Sequence, residues 1–203
     1  MHLVHAGATG LPSSSPDVAT PQATRAEFFG NREGFVAAYA RIRIAAIAPP
    51  PEALLWDNFY LAYQGENDRE PQSVYGDWLC TSLQTLMPVV KPTVHVQQRA
   101  RIAVVSSRLH ECTVGAYFSS WIEHLSACGW ELILVHVGSY RDQLTEQLAS
   151  SAHSELTLDD GIGENSRRLR ELGADLILYP ELGMDYRTLA LAAQRLAPLQ
   201  LCA

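Results

Sequence analysis

The stretch LILVHVG, residues 132–138, decides the fold of this chain. It is a short run of apolar, partly β-branched residues that ends at a glycine. Runs of this kind are typical of strands that are buried on both faces of a parallel sheet. Similar runs lie on both sides of it, IAVV at 102–105 and LILY at 176–179, with a shorter one, LTL, at 156–158.

Apolar residues recur at helical spacing between these runs, and Gly129 and Gly173 each follow a helical stretch. A regular strand–helix alternation predicts an α/β fold with a Rossmann-like parallel sheet. We expect strands near 101–106, 131–137, 154–158 and 175–180, and a partial fifth strand at the terminus. A charged helix is predicted from Ser166 to Leu172 and another helix over 186–197, while the GIG stretch at 161–163 is interpreted as a turn.

The first part of the chain has a different pattern. Residues 1–24 have few large apolar side chains, which predicts a disordered tail. Residues 25–97 are predicted to form a helical segment and a linker, because apolar residues recur at helical spacing up to Leu86 and then give way to Pro88 and Pro92. One helix pair there could resemble a helical repeat, but no second copy is visible. The α/β domain is then expected to cover 98–203.

Composition excludes several classes of function. The net charge is −7, which gives no support for a nucleic-acid or anionic membrane surface. The four cysteines show no paired spacing, so neither a disulfide framework nor a metal site is predicted, and a reducing, cytoplasmic compartment fits. Apolar runs fall well short of the roughly 20 residues that a membrane helix needs.

Two loops carry candidate functional residues, because ligands bind beyond the carboxyl ends of the strands in an open parallel sheet. The first loop, SSRLHECTVG at 106–115, lacks a G-x-G-x-x-G pattern but offers hydroxyls, Arg108, His110 and the start of a helix. The alternative is that Thr113 or Ser107 caps the helix and that both charged side chains are solvated. His124 and His136 are interpreted as structural or solvated.

The second loop, YPELGMD at 179–185, follows the fourth strand. Glu181 and Asp185 flank Gly183, which permits a close backbone approach, so the loop is a candidate wall of a cleft. The alternative is that Pro180 and Gly183 only form a turn and that Asp185 caps the next helix. We expect the two loops to lie at one edge of the sheet.

The second loop, together with RLAPLQ at 195–200, resembles bacterial members of the O-GlcNAc transferase/SPINDLY family and is similar to the related cytoplasmic N-glucosyltransferases. RIAVVSS at 101–107 and TVG at 113–115 resemble the start of the catalytic region of that family. NFYLAYQGENDR at 58–69 resembles the helical segment before it. The family has a GT-B fold, in which two Rossmann-like halves face each other across a cleft behind tetratricopeptide-like repeats. The resemblance implies that residues 98–203 are the first half, truncated before the donor-binding half.

The resemblance also implies a set of site residues. The family commonly has a histidine three residues before the glycine that corresponds to Gly115, and this chain has Cys112 at that position. His110 lies two residues earlier and is the expected catalytic residue in its place. The expected substrate-binding residues are Arg108, Thr113, Gly115, Glu181, Gly183, Met184 and Asp185.

The function implied by the resemblance is that of a fragment of a UDP-sugar-dependent protein glycosyltransferase, inactive alone. The donor substrate would be a UDP-sugar, with no further cofactor, and the acceptor a polypeptide. A C-terminal half or a second copy of the chain would be its partner. The alternatives are a non-catalytic protein-interaction module or remnant with a Rossmann-like fold, and an unrelated flavodoxin-like nucleotide-binding domain, which the missing phosphate loop disfavours.

Overall fold

The computed structural model describes residues 65–86 and 99–203 of the chain. The predicted tail at 1–24, the part of the predicted helical segment before residue 65 and the domain boundary predicted at 97–98 lie outside the described residues. Contacts divide the chain into two compact units, Met1–Pro88 and Val89–Ala203.

The first unit contributes helix α1, Arg69–Leu86. The side-chain oxygen of Asn67 accepts a hydrogen bond from the Arg69 amide (3.1 Å), which fits a capping residue just before the helix. Tyr75, Leu79 and Leu83 lie four residues apart and are all buried, so the helix has one apolar face, as the sequence predicts.

The second unit is a five-stranded sheet with helices on both faces. All its strands are parallel, and their spatial order is 3-2-1-4-5, that of a Rossmann-like sheet. The predicted α/β fold is therefore confirmed. The elements in chain order are β1 Arg101–Ser106, α2 Thr113–Ala127, β2 Glu131–Val137, α3 Gln143–Ser151, β3 Ser154–Leu158, α4 Ile162–Glu171, β4 Leu176–Tyr179, α5 Tyr186–Ala192 and β5 Leu199–Cys202.

Alternate residues of the strands form two separate cores. Val105 and Val135 pack on the face that also holds Leu169 of α4 and Leu191 of α5. The opposite face of the same strands packs against Ile122 of α2 and Leu148 of α3. Burial on both faces explains why the central strands are continuous apolar runs rather than alternating ones.

Two helix boundaries differ from the sequence predictions. Helix α4 begins at Ile162, so the interpretation of 161–163 as a turn is wrong: Gly161 is the N-cap, and the buried Ile162 starts the helix. Helix α5 ends at Ala192 rather than 197, because the Gln200 side chain accepts the amide of Leu196 (2.6 Å) and so replaces a helical partner.

Strand β5 lies at the edge of the sheet and exposes two leucines. Leu199 and Leu201 are 48% and 45% exposed, so two apolar side chains of this edge strand face solvent. Within residues 65–86 and 99–203, none of the helices combines the length and hydropathy needed to cross a bilayer. The same residues contain no cluster of three or more side chains suited to hold a metal ion.

Candidate functional site

The strand order places the two candidate loops side by side. The chain runs from β1 through β2 to β3 on one side of β1, and then continues through β4 to β5 on the other side. The order reverses between β1 and β4, and ligands of open α/β sheets bind at such a switch point. The loop after β1 and the loop after β4 both leave this point, which confirms that they share one edge of the sheet.

Direct contacts join the two loops. The Ser106 hydroxyl donates to Glu181 Oε1 (3.2 Å), and the Ser107 hydroxyl lies 3.5 Å from the same oxygen. The Arg108 guanidinium donates to the Met184 carbonyl (3.4 Å). The loops therefore form one continuous wall.

A cavity of about 530 Å³ opens at this edge of the sheet. Segments that follow each of the first four strands line it, so the cavity depends on the sheet topology and not on one loop. The lining residues are Ser106, Ser107, Arg108, Leu109, His110, His136, Val137, Gly138, Ser139, Tyr140, Asp159, Asp185 and Arg187.

Three of the predicted site residues, Arg108, His110 and Asp185, line this cavity. Asp185 also accepts the backbone amide of Arg187 (2.8 Å) and is the N-cap of α5, so the capping interpretation holds beside the cavity position. No carboxylate lies within ion-pairing distance of Arg108 in the part of the chain that the structure describes.

The other predicted residues lie around the cavity rather than in its lining. Glu181 is only 6% exposed and sits behind Ser106. Met184 offers its carbonyl to Arg108 while its side chain is exposed, and Gly183 has a φ of +95°, which favours glycine. Thr113 is the first residue of α2.

Gly115 lies where the first loop closes onto helix α2. A Cβ atom built on Gly115 would come within 2.0 Å of the His110 carbonyl oxygen, so any side chain there would displace the loop. The same carbonyl accepts the Cys112 amide (2.7 Å). Gly115 is therefore required for the position of His110, and its predicted contact with substrate stays a prediction.

The N-cap of α2 is Cys112 and not Thr113 or Ser107. The Cys112 side chain makes no capping hydrogen bond with the described residues of the helix. The interpretation of Thr113 or Ser107 as the cap is therefore wrong. The Cys112 thiol points to the Arg108 carbonyl (3.4 Å) and is absent from the described lining, whereas His110 is part of it. Of these two residues, His110 is the one that faces the cavity.

His136, interpreted from the sequence as structural or solvated, belongs to the cavity wall. It is 4% exposed, and its Nε2 has no hydrogen-bond partner among the described residues. Burial, aided by the nearby Arg141 charge, lowers the pKa of His136. One feature of the sequence could have indicated a place in the site: His136 is the one polar residue near the carboxyl end of an otherwise apolar strand.

Arg187 and Asp159 also line the cavity and were missed, because neither belongs to a recognisable motif. The Arg187 guanidinium bonds Asp185 (3.0 Å) and lies 3.8 Å from Asp159. Two carboxylates thus balance Arg187. Arg108 forms no ion pair within 4.0 Å among the described side chains, although its charge acts on the buried Glu181 carboxyl group and favours the ionised form.

Glu181 is a buried acid directly behind the cavity. Burial raises its pKa, although the hydrogen bond from Ser106 acts against this. Its second oxygen, Oε2, has no partner among the described residues. Such a carboxyl group exchanges a proton closer to neutral pH than an exposed one, and its hydrogen bonds to Ser106 and Ser107 link it to the first loop.

No family model matches this chain, and no curated protein matches it. Among solved structures, it is similar to a mutant of the O-GlcNAc transferase of Thermobaculum terrenum, with a TM-score of 0.55 and 22% sequence identity. The match covers 85% of this chain and 34% of that one. This likeness shows the fold: the chain has an α/β fold similar to part of a glycosyltransferase, and it spans about a third of that enzyme's length.

Proposed function

We propose that this chain supplies the first half of the catalytic region of a UDP-sugar-dependent protein glycosyltransferase of the O-GlcNAc transferase/SPINDLY kind. One observation carries the proposal. The two loops that resemble this family meet at the topological switch point, and residues of both line an open cavity of about 530 Å³. The likeness in fold to an O-GlcNAc transferase supports it.

In a GT-B enzyme the reaction takes place between two halves, and this chain would form the wall on the acceptor side. The bond between the sugar and the phosphate oxygen breaks, UDP leaves with the electron pair, and a new bond forms between the sugar and the acceptor side chain. Arg108 lines the cavity and forms no ion pair within 4.0 Å in the described part of the chain, so its guanidinium is suited to the charge that develops on the phosphate. His110 is suited to accept the proton of the acceptor group, because it lies in the cavity wall.

The remaining predicted residues would shape this wall. Asp185 lines the cavity, Glu181 and Met184 join the second loop to Ser106 and Arg108, and Gly183 allows the turn between them. Thr113 and Gly115 form the helix start on which the His110 segment rests. The donor-binding half, the polypeptide acceptor and a cytoplasmic location are parts of this proposal that rest on the family resemblance.

A non-catalytic interaction module is the second candidate, and exposed aromatic residues favour it. Tyr117 and Trp121 on α2 are 65% and 45% exposed, and Trp130 is 40% exposed. Large exposed aromatic side chains are typical of surfaces that bind other proteins. This candidate predicts that the chain remains without transferase activity even when a donor-binding half is supplied.

Calorimetry on the purified 203-residue chain tests the two-half assignment. We expect weak or undetectable binding of UDP and UDP-GlcNAc and no sugar transfer to a peptide, because a half-site leaves the diphosphate in contact with water, which weakens each polar contact. Tight binding of either ligand, or any transfer by the chain alone, would show that the second half is not needed.

A further inference from the structure

The residues on both sides of His110 are bonded to the first turn of helix α3. The Thr145 hydroxyl donates to the Leu109 carbonyl (2.9 Å), and the Glu111 amide donates to Asp142 Oδ2 (2.7 Å). Leu109 is itself 2% exposed, so the first of these bonds is buried. The backbone is thus held immediately before and immediately after His110.

Asp142 and Thr145 are fixed in turn, because they form the capping box of α3. Asp142 Oδ1 accepts the Thr145 amide (3.0 Å), and the Asp142 amide donates to the Thr145 hydroxyl (3.2 Å). The two carboxylate oxygens of Asp142 therefore have different partners: Oδ1 accepts the Thr145 amide in the helix cap, and Oδ2 accepts the Glu111 amide. Although burial acts to raise it, these hydrogen bonds hold the pKa of Asp142 below its usual value.

The His110 ring is held as well. It packs edge-to-face against Tyr140, with the ring centroids 5.0 Å apart. Its Nδ1 lies 4.0 Å from Asp142 Oδ2, beyond hydrogen-bond length, so the carboxylate of the capping box faces this edge of the ring. The backbone of His110 also packs directly against Gly115, where there is no space for a side chain.

We propose that the capping box of α3, Asp142 with Thr145, is a positioning clamp for His110. The clamp fixes the backbone through Leu109 and Glu111 and places the Asp142 carboxylate beside Nδ1 of the imidazole, so that it sets the position and orientation of the ring. A base that acts on a bound group must be held to within about 0.5 Å and 10–20°. The catalytic value of the clamp rests on the proposed function, whereas the clamp itself is a property of this chain alone.

Three variants at Asp142 and Thr145 test the clamp. Asp142→Asn keeps one oxygen for the Thr145 amide but turns a donor group towards the Glu111 amide. Thr145→Val removes the hydroxyl and keeps the side-chain shape, and Thr145→Ser restores the hydroxyl. Ser166→Ala is the matched control, because it removes a buried hydroxyl in α4, whose bond to the Ile162 carbonyl (2.7 Å) is remote from the loop.

The readouts are hydrogen exchange of the Glu111 amide and the ¹⁵N NMR signals of the His110 imidazole, both measured on the 203-residue chain. Asp142→Asn and Thr145→Val are expected to accelerate Glu111 exchange about tenfold or more and to shift the imidazole signals towards those of a free histidine. Thr145→Ser should resemble the wild type, and Ser166→Ala should move neither signal. Unchanged signals in Asp142→Asn and Thr145→Val, or equal shifts in the Ser166→Ala control, would overturn the clamp.

Sugar transfer separates the clamp from the proposed function. In a protein that joins this chain to a donor-binding half, the two clamp variants should lower kcat with little change in the KM for the acceptor, and Thr145→Ser should rescue it. If the His110 signals shift and transfer does not change, the clamp is supported and the proposed role of His110 in transfer is wrong.

Discussion

At the scale of single residues, Gly115 has the least room for change. Its neighbour, the His110 carbonyl oxygen, would lie 2.0 Å from an added Cβ and belongs to the backbone, so it cannot rotate away. We expect Gly115→Ala to lower the free energy of unfolding by about 1–3 kcal/mol, the usual cost of overpacking. Urea denaturation measures this.

Gly161 provides the matched control for that substitution. It is the N-cap of α4, with a φ of −65°, and no described atom lies within 4 Å of the position of its Cβ. Gly161→Ala should lower the free energy of unfolding by about 1 kcal/mol or less, because alanine is a weaker N-cap than glycine but meets no steric clash there. Equal losses in the two variants would contradict the close packing of Gly115 against the first loop.

The lowered pKa of His136 implies that the stability of the folded chain depends on pH. Its pKa is lowered in the folded chain by burial, so the unfolded chain takes up a proton first as the pH falls below about 6.5. The stability that neutral His136 contributes is present above this pH and is lost as the pH falls through the lower folded-state pKa. His136→Gln should therefore lose less stability than the wild type between pH 7.5 and 5.5.

Urea midpoints at the two pH values test this, with His124→Gln as the control, because His124 is exposed in the last turn of α2. The same pH slope in His136→Gln and in the wild type would show that His136 is not buried as a neutral group.

At the scale of elements, the edge strand β5 has two different faces. The Gln200 side chain bonds back to the Leu196 amide and the Ala192 carbonyl, whereas Leu199 and Leu201 are exposed. An edge strand with exposed apolar side chains promotes association. Leu199→Lys with Leu201→Lys should reduce self-association while leaving the unfolding midpoint nearly unchanged.

Light scattering across a range of protein concentrations measures this effect. The contrasting variant is Gln200→Ala, which should lower stability by about 1 kcal/mol, because it leaves amides without their acceptor, and should not reduce association. An unfolding midpoint lowered by the double lysine variant would show that the two leucines are buried in solution.

The limits of prediction from the sequence are also clearest at this scale. The central strands were predicted to within about a residue, because a strand buried on both faces leaves a continuous apolar run. The end of α5 was not predicted correctly, because it depends on a hydrogen bond from the Leu196 amide to the side chain of Gln200, which belongs to strand β5. The start of α4 was missed because Gly161 and Gly163 suggest a turn, whereas burial of Ile162 extends the helix to it.

At the scale of the whole molecule, topology determines the site. The shared edge of the two loops followed from parallel strands alone, and the 3-2-1-4-5 order places them at the switch point. The sequence did not indicate that His136 and Arg187 would join Arg108 and His110 in one cavity. Such convergence of isolated residues depends on tertiary packing, and no motif in a single sequence records it.

The central claim is that this cavity forms half of a glycosyltransferase active site. The most direct measurement is sugar transfer from UDP-GlcNAc to a polypeptide by a single protein that joins this chain to the part of the Thermobaculum terrenum O-GlcNAc transferase that the match leaves uncovered. We predict transfer that Arg108→Ala and His110→Ala each reduce about 100-fold or more and that His124→Ala leaves unchanged. No transfer by a folded, UDP-binding fusion, or equal transfer by the wild type and both cavity variants, would contradict the claim.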